Sequence, residues 1–483
     1  MNSFEKKIII AILLLLSFVI LATKFAGETD FYEYTSIAKF FAGEYSADLR
    51  SAHSLTYGLM HGPLIYLFKT FFVMKLTSLV FLILIILSVY YISGRNYRAL
   101  LLFSVSPIVW YIGPWINPIQ MASLLFLWGF FFVNKYKRDG KNKNLACAGL
   151  LIGLSISIWN TILFITPIFL LAFFYKEKVY SAIFFIAGIA CGLIPLMVFD
   201  YKIYGLPFYS ILRHFMANAV TAMYGGIYSS QSAPGGVILT YLAFIVMLPL
   251  YFYKIFRRKS WRKNKAGIIF ISLSLLFFLM NPQIRFLLLL CPIITIYLSE
   301  AISEKETRKQ IVMYAVISVL VINPYLIQVG YSTNSKTFDE MINNWGKWEI
   351  SGNRSYEDLV RDDLERLTKE YPNEVFLVGN NADSYMFLAD IHWTKNVKEF
   401  VSIQDYEMYM KNEKDIFSRT IESKPVIQDR RQIWIAGGLS RNRYDKTDYE
   451  KIEFAIGVDE PIKEKDFEFV KRYGNLYLSR RAN

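Results

Sequence analysis

Long apolar runs alternate with short polar stretches along the first two thirds of the chain. A helix needs about 20 apolar residues to cross roughly 30 Å of hydrocarbon, and about eleven runs approach that length. They are residues 8–25, 72–92, 99–116, 119–134, 145–159, 161–175, 179–199, 236–253, 266–281, 286–302 and 311–330. The pattern predicts a polytopic α-helical membrane protein with about eleven transmembrane helices.

Two of these runs are short and meet at Trp159 and Asn160. Each would span only about 23 Å as a helix. Lysines flank both outer ends of the pair, and basic loops stay on the cytoplasmic side. We therefore expect a hairpin over 145–175, and by the same reasoning a hairpin over 99–134. The amino terminus is then cytoplasmic and, with an odd number of spans, the carboxyl terminus is extracytoplasmic.

The polar pieces divide the chain into a membrane domain, 1–330, and a tail, 331–483. The membrane domain has two long outer loops, 26–62 and 200–235, and long polar connections are more often functional than idle. The tail contains "EVFLVGNNADSY" and "RQIWIAGGLSRN" after a helix-like "SYEDLVRDDLERLTKEYP". Short apolar runs that end at glycine or asparagine indicate strands, so the tail is predicted to be a soluble, extracytoplasmic α/β domain.

Composition and charge agree with this division. Hydrophobic residues make up 54% of the chain, which is typical of a polytopic membrane protein. The net charge is +13, but the excess lies in short loops such as "KIFRRKSWRKNKA", and the tail is slightly acidic. The basic residues thus report membrane topology rather than nucleic-acid binding. The three cysteines lie in apolar segments and are predicted to be buried hydrophobes.

The first outer loop holds an unusual group of acids just after the first apolar run. In "TDFYEYTSIAKFFAGEY", Tyr34, Ile37, Ala38 and Phe41 recur at helical spacing and predict an amphipathic helix. One interpretation of Asp30 is structural: it caps this helix, with the acid three residues later completing a capping box. A catalytic interpretation is compatible with the first.

The same loop, with "HGPLIYLF" after it, resembles the first outer loop of the GT-C superfamily, the integral membrane glycosyltransferases that use polyprenyl-phosphate sugars. Similar families are the protein O-mannosyltransferases, the aminoarabinose transferases and the lipid-linked mannosyltransferases. The matching positions are Asp30, Tyr34, Ala38, Gly43 and the triplet His61, Gly62 and Pro63. "NPQIRFLLLLCPIITIYL" resembles the late helix of the superfamily, with Arg285 at the outer face.

The resemblance implies a GT-C-like fold that transfers a sugar on the extracytoplasmic face. Asp30 would be the general base that takes the proton of the acceptor hydroxyl. Arg285 would bind the phosphate of the leaving lipid, because its planar, permanently charged group suits phosphate. An interfacial arginine that snorkels to headgroups is the alternative.

The chain departs from the superfamily pattern at the second acid. Phe31 follows the first acid, and the turn "GPWINPIQ" carries no carboxylate. Glu33 is our choice for the second catalytic acid, with Glu44, Asp48 and Asp200 as the alternatives.

Four further side chains are candidates for binding the substrate: Tyr34, His53, Tyr57 and His61. Aromatic residues near a membrane surface also occur simply as interfacial belts. The two histidines have no spacing specific to a metal, so no metal ligands and no cofactor are assigned, and a divalent ion (Mg²⁺ or Mn²⁺) stays an open question.

The expected partners are a polyprenyl-phosphate sugar donor, membrane lipids and an acceptor, which is a lipid-linked glycan, an envelope polymer or a protein; nucleic acid is not expected. The sugar is a hexose, with mannose the first choice. The alternatives are a multi-span transporter or flippase of a lipid-linked glycan, an oligosaccharyl or polymer ligase of the same superfamily, and a membrane scaffold. A transporter would carry ionisable residues near mid-membrane, whereas these apolar runs have almost none.

Overall fold

The structure is a computed structural model. It describes residues 3–22, 31–43, 55–68, 72–174, 179–204, 206–212, 252–253, 265–280 and 285–327, and in the tail residues 363, 366–367, 369–371, 374–378, 399–402, 452–458, 460–462, 466–474 and 476–482.

Helices account for most of the described residues before 328. They are α1 (Ser3–Ala22), α2 (Phe31–Phe41), α3 (Leu55–Phe68), α4 (Phe72–Ile92), α5 (Tyr97–Ser104), α6 (Pro107–Ile112), α7 (Ile119–Asp139), α8 (Asn142–Ile158), α9 (Ile162–Phe174), α10 (Val179–Tyr204), α11 (Lys265–Met280), α12 (Phe286–Ala301) and α13 (Glu304–Ile327). The predicted break at Trp159 and Asn160 is confirmed, since α8 ends and α9 begins on either side of it.

Two of the described helices, Phe72–Ile92 and Tyr180–Lys202, are long and apolar enough to cross a membrane. Along the first of them, Leu76, Val80, Leu84, Leu87 and Tyr91 are exposed at helical spacing. A continuous exposed apolar stripe of this kind indicates contact with lipid or another apolar surface. Membrane association is thus supported in outline, and the count of eleven spans stays a prediction.

The predicted single span over 99–116 is two short helices, α5 and α6. Val105 and Ser106 lie between them, and Ser106 is extended, with φ −65° and ψ 132°. The cause is Pro107, since the ring of a proline disfavours helical backbone at the preceding residue. Proline is well tolerated at the first position of the next helix.

Helices α8 and α10 pack closely through glycines spaced four residues apart. A Cβ added at Gly149 would lie 3.0 Å from Gly188 Cα, and one at Gly153 would lie 3.0 Å from Gly192 Cα. A step of four residues toward the carboxyl terminus of α8 is matched by a step of four residues toward the carboxyl terminus of α10, so the two helices run parallel. The Ser157 hydroxyl donates to the Gly192 carbonyl at 2.9 Å. Small residues at this spacing let helix backbones approach closely.

The parallel packing of α8 and α10 brings their carboxyl-terminal ends to the same end of the bundle. The α8–α9 turn at Trp159 and Asn160 and the end of α10 at Asp200 therefore lie on one side. Helix α12 begins at this side too, because the rings of Trp159 and Phe286 are 5.0 Å apart. This arrangement agrees with the predicted hairpin over 145–175.

The tail contains a five-stranded mixed sheet, made of β1 (Val375–Val378), β2 (Glu399–Ser402), β3 (Phe454–Val458), β4 (Phe467–Tyr473) and β5 (Leu476–Arg481), in the order β2-β1-β3-β5-β4. Strand β1 pairs in parallel with β2 and β3, and β5 pairs antiparallel with β3 and β4. Gly474 turns between β4 and β5 with φ +56°. The strand predicted in "EVFLV" is β1. The strand predicted in "RQIWIAGGLSRN" lies outside the described residues.

Candidate functional site

Helices α2 and α3 pack against each other at the predicted outer loop. A Cβ added at Gly58 would lie 2.7 Å from Ile37 Cβ and 2.8 Å from the Ala38 nitrogen, and one at Gly62 would lie 2.5 Å from Phe41 Cβ. The glycines therefore allow a backbone approach that no larger residue permits. Two positions of the family resemblance, Ala38 and Gly62, thus lie in this helix contact.

The contact brings together three of the predicted substrate-binding side chains. The rings of Tyr34 and Tyr57 meet edge to face at 5.5 Å, and the rings of Tyr57 and His61 lie 4.4 Å apart. All three side chains are buried. Such aromatic pairs contribute about 0.5–1.5 kcal/mol beyond their burial. The cluster therefore fixes α2 on α3, in addition to any role toward a substrate.

Both ring nitrogens of His61 have partners. Nδ1 lies 2.8 Å from the Tyr57 carbonyl oxygen, and Nε2 lies 2.7 Å from Thr77 Oγ1. A carbonyl only accepts, so Nδ1 carries the proton, and in the neutral ring the Thr77 hydroxyl donates to Nε2. The same hydroxyl lies 2.9 Å from the Met74 carbonyl oxygen, which is its other possible acceptor. His61 thus joins α3 to α4.

The charge state of His61 follows from its burial. The residue lies on α3, outside the two candidate membrane spans. Burial lowers the pKa of His61 to about 4, although the hydrogen bond to the Tyr57 carbonyl oxygen acts in the opposite direction. The ring is therefore neutral near pH 7. Both ring nitrogens of the neutral His61 side chain are thus engaged by protein groups.

The remaining predicted residues of the loop are placed less completely. Asp30 and His53 lie outside the described residues, as do the alternative acids Glu44 and Asp48. Helix α2 begins at Phe31, so Asp30 holds the sequence position directly before it. Glu33 lies in the first turn of α2, and its side chain is outside the described part.

Arg285 precedes the first residue of α12 and is half-buried. An arginine at this position is not explained by the helix dipole, whose positive end is the amino terminus. The neighbouring Phe286 packs on Trp159, which places Arg285 at the same end of the bundle as the α8–α9 turn.

Asp200 is fully buried rather than solvated. Its Oδ2 accepts from the Ser210 backbone N–H at 2.9 Å and from the Ser210 hydroxyl at 2.8 Å. These bonds tie the segment 206–212 back to the end of α10. Asp200 therefore has a structural task, which sequence reasoning did not assign to it.

A cavity of about 370 Å³ opens between the α8–α9 turn and the segment 206–212. Asn160 is among its lining residues and is 3% exposed. Neither its Oδ1 nor its Nδ2 has a hydrogen-bond partner in the described structure, and each unsatisfied buried group costs about 1–3 kcal/mol. The sequence marked Asn160 only as a turn residue.

Within the described residues, no group of three or more histidine, cysteine or acidic side chains is placed to hold a metal ion. His53 lies outside that part of the chain, so the open question of a divalent ion rests on the sequence alone.

The chain matches no protein-family model, and a search of curated proteins finds no match. Its function is therefore inferred from its residues and their arrangement.

Proposed function

We propose that the protein is a membrane glycosyltransferase of GT-C type that moves a hexose, with mannose the first choice, from a polyprenyl-phosphate donor to an acceptor hydroxyl. The observation that carries the proposal is the buried Tyr34, Tyr57 and His61 cluster. It fixes α2, the helix that begins directly after Asp30, against α3. A catalytic carboxylate needs such a rigid support, because a displacement of about 1 Å can cost on the order of 100-fold in rate.

In the proposed reaction, the acceptor oxygen attacks the anomeric carbon while its proton passes to the Asp30 carboxylate. The bond from the anomeric carbon to the phosphate oxygen breaks, and polyprenyl phosphate leaves with the bonding electron pair. Glu33, three residues further along, is the proposed second acid and orients the acceptor hydroxyl.

The leaving phosphate gains negative charge as that bond breaks. Arg285 and the amino terminus of α12 supply fixed positive charge for it, and such preorganised groups act most strongly in a site shielded from water. The packing of Phe286 on Trp159 supports a fixed position for this end of α12. His61, with both nitrogens engaged, would act as a positioning residue.

The proposed site faces the extracytoplasmic side of the cell membrane, with the tail on the same side. The donor reaches it from the lipid, and the acceptor, a lipid-linked glycan, an envelope polymer or a protein, reaches it from the aqueous side. Substitution of the base tests the proposal. General bases contribute about 100-fold to 10,000-fold, so Asp30→Asn should reduce transfer from polyprenyl-phosphate mannose in membranes by at least about 100-fold.

Asp139→Asn is the matched control, because it makes the same chemical change at the exposed end of α7. It should leave transfer unchanged. Equal transfer by Asp30→Asn and wild type would refute the assignment of the base. Movement of intact donor across the membrane without cleavage would favour a flippase instead.

A further inference from the structure

Among the described residues that line the cavity, Asn160 has the one polar side chain. Its other walls include Leu163, Phe164, Leu206 and Ile211. A volume of about 370 Å³ is within the range of small-ligand pockets, which is about 300–1,000 Å³. Taking the roughly 30 Å³ that one water occupies in the liquid as the size of one non-hydrogen atom, the space holds on the order of twelve such atoms.

Asn160 is not used in the way its position suggests. It lies two residues before α9, next to the position from which asparagine side chains often cap a helix by accepting from backbone N–H groups. Here the Asn160 backbone carbonyl accepts from the Leu163 N–H at 3.0 Å, while the side-chain oxygen and nitrogen have no partner among the described residues. The amide is thus 97% buried, lines the cavity and is left with both a donor and an acceptor to satisfy.

The hydrogen-bonding needs of Asn160 define the ligand. Its Nδ2 needs an acceptor and its Oδ1 needs a donor. A hydrocarbon offers neither, and an ester or a phosphodiester offers only acceptors. A primary amide or an alcohol offers both, and the apolar walls suit an alkyl chain attached to it.

We propose that this cavity binds an alkyl chain that ends in a primary amide or a hydroxyl, with the polar end hydrogen-bonded to Asn160. A ten-carbon amide has the estimated size. The site does not depend on the proposed sugar transfer.

The part of the cavity wall formed by residues 206–212 is held in place by its own hydrogen bonds and packing. Ser210 donates twice to the buried Asp200 carboxylate, and Tyr209 and Ser210 are themselves buried. Phe208 takes a positive φ of 62°, which is rare for a bulky residue and directs the chain at the cavity edge. The pocket is therefore built by the fold.

Photolabelling of the full chain in lipid nanodiscs tests the proposal. The probe is decanamide with a diazirine in the middle of its chain, and labelled peptides are identified by mass spectrometry. We expect saturable labelling of residues 163–164 and 206–212. Free decanamide should compete at a concentration about tenfold lower than decane or methyl decanoate, since only the amide satisfies both atoms of Asn160.

The variant Asn160→Leu should raise the half-saturating concentration of the amide probe by about tenfold. Asn134→Leu makes the same change away from the cavity and should not alter it. The competition series uses the wild-type chain alone, so it decides the matter even if Asn160→Leu folds poorly. Competition by decane as strong as that by decanamide would overturn the proposal, and so would labelling only outside the cavity walls. An absence of saturable labelling would also overturn it and would indicate that the cavity holds water instead.

Discussion

The packing of α8 on α10 predicts that alanine at Gly149 destabilises the protein, although alanine is the better helix former. The added methyl would overlap the Phe185 carbonyl oxygen, and it would lie 2.9 Å from the carbonyl carbon and 3.0 Å from Gly188 Cα. Ordinary contacts between carbon atoms begin at about 3.5 Å. The obstructing atoms are backbone, so the two helices must separate.

Three effects set the size of the change. Overpacking of this kind costs about 1–3 kcal/mol. Separation also weakens the hydrogen bond from Ser157 to the Gly192 carbonyl, which is worth about 1 kcal/mol. Replacing glycine by alanine inside a helix returns about 1 kcal/mol. The net expectation for Gly149→Ala is a loss of about 2 kcal/mol.

The measurement is thermal unfolding of the detergent-solubilised chain, with Gly129→Ala as the matched control. A Cβ at Gly129 would lie 2.8 Å from Ile152 Cγ1 and 3.3 Å from the Ala148 carbonyl oxygen, so its closest contact is a side chain, which can shift, and its backbone contact is much looser than that at Gly149. The free energy of unfolding of Gly129→Ala should therefore lie within about 1 kcal/mol of the wild-type value. If Gly149→Ala is as stable as the control or more stable than wild type, α8 and α10 are not packed as described.

Three further predictions concern the polar groups. The pKa of His61 in the folded protein is about 4, against about 6.5 in the unfolded chain. Because the unfolded state binds more protons between these values, about 3 kcal/mol of stability that is present above pH 6.5 should be lost as the pH falls toward 4. Unfolding scans at pH 7.5 and 5 should show this loss in the wild-type protein, and His61→Asn should remove it. Arg285→Ala should lower sugar transfer by about 100-fold and Arg285→Lys by less, because lysine keeps the charge without the planar fork; equal rates for Arg285→Ala and wild type would contradict the phosphate assignment. Ser210→Ala removes one of two hydrogen bonds to Asp200 and should cost about 1–2 kcal/mol of unfolding free energy, whereas Ser274→Ala removes a buried hydroxyl that has no partner in the described structure and should be neutral.

Periodicity and turn chemistry were sufficient to predict several elements. The apolar run 72–92 is α4 with the same bounds, and the spacing of Tyr34, Ile37 and Ala38 is that of the buried face of α2. Pro107 carried a signal for the break between α5 and α6, but the apolar run around it concealed the boundary. The glycine between β4 and β5, Gly474, also carried a turn signal, since its φ is positive.

The contacts between distant elements could not be predicted in the same way. Glycines four residues apart are visible at Gly149 and Gly153 and again at Gly188 and Gly192, yet only coordinates show that the two pairs face each other. The sequence also does not show which buried polar side chains have hydrogen-bond partners. His61 seemed available to a substrate and has both nitrogens engaged, whereas Asn160 seemed an ordinary turn residue and is left unsatisfied.

Sugar transfer itself is the most direct test of the proposed function. Membranes that contain the chain should be given radiolabelled polyprenyl-phosphate mannose, and the label that leaves the donor for an acceptor should be counted beside membranes with Asp30→Asn and membranes without the chain. We predict transfer by the wild-type protein, with release of polyprenyl phosphate, and at least about 100-fold less with the variant. Transfer that is equal in all three membranes, or equal in wild type and variant, would contradict it.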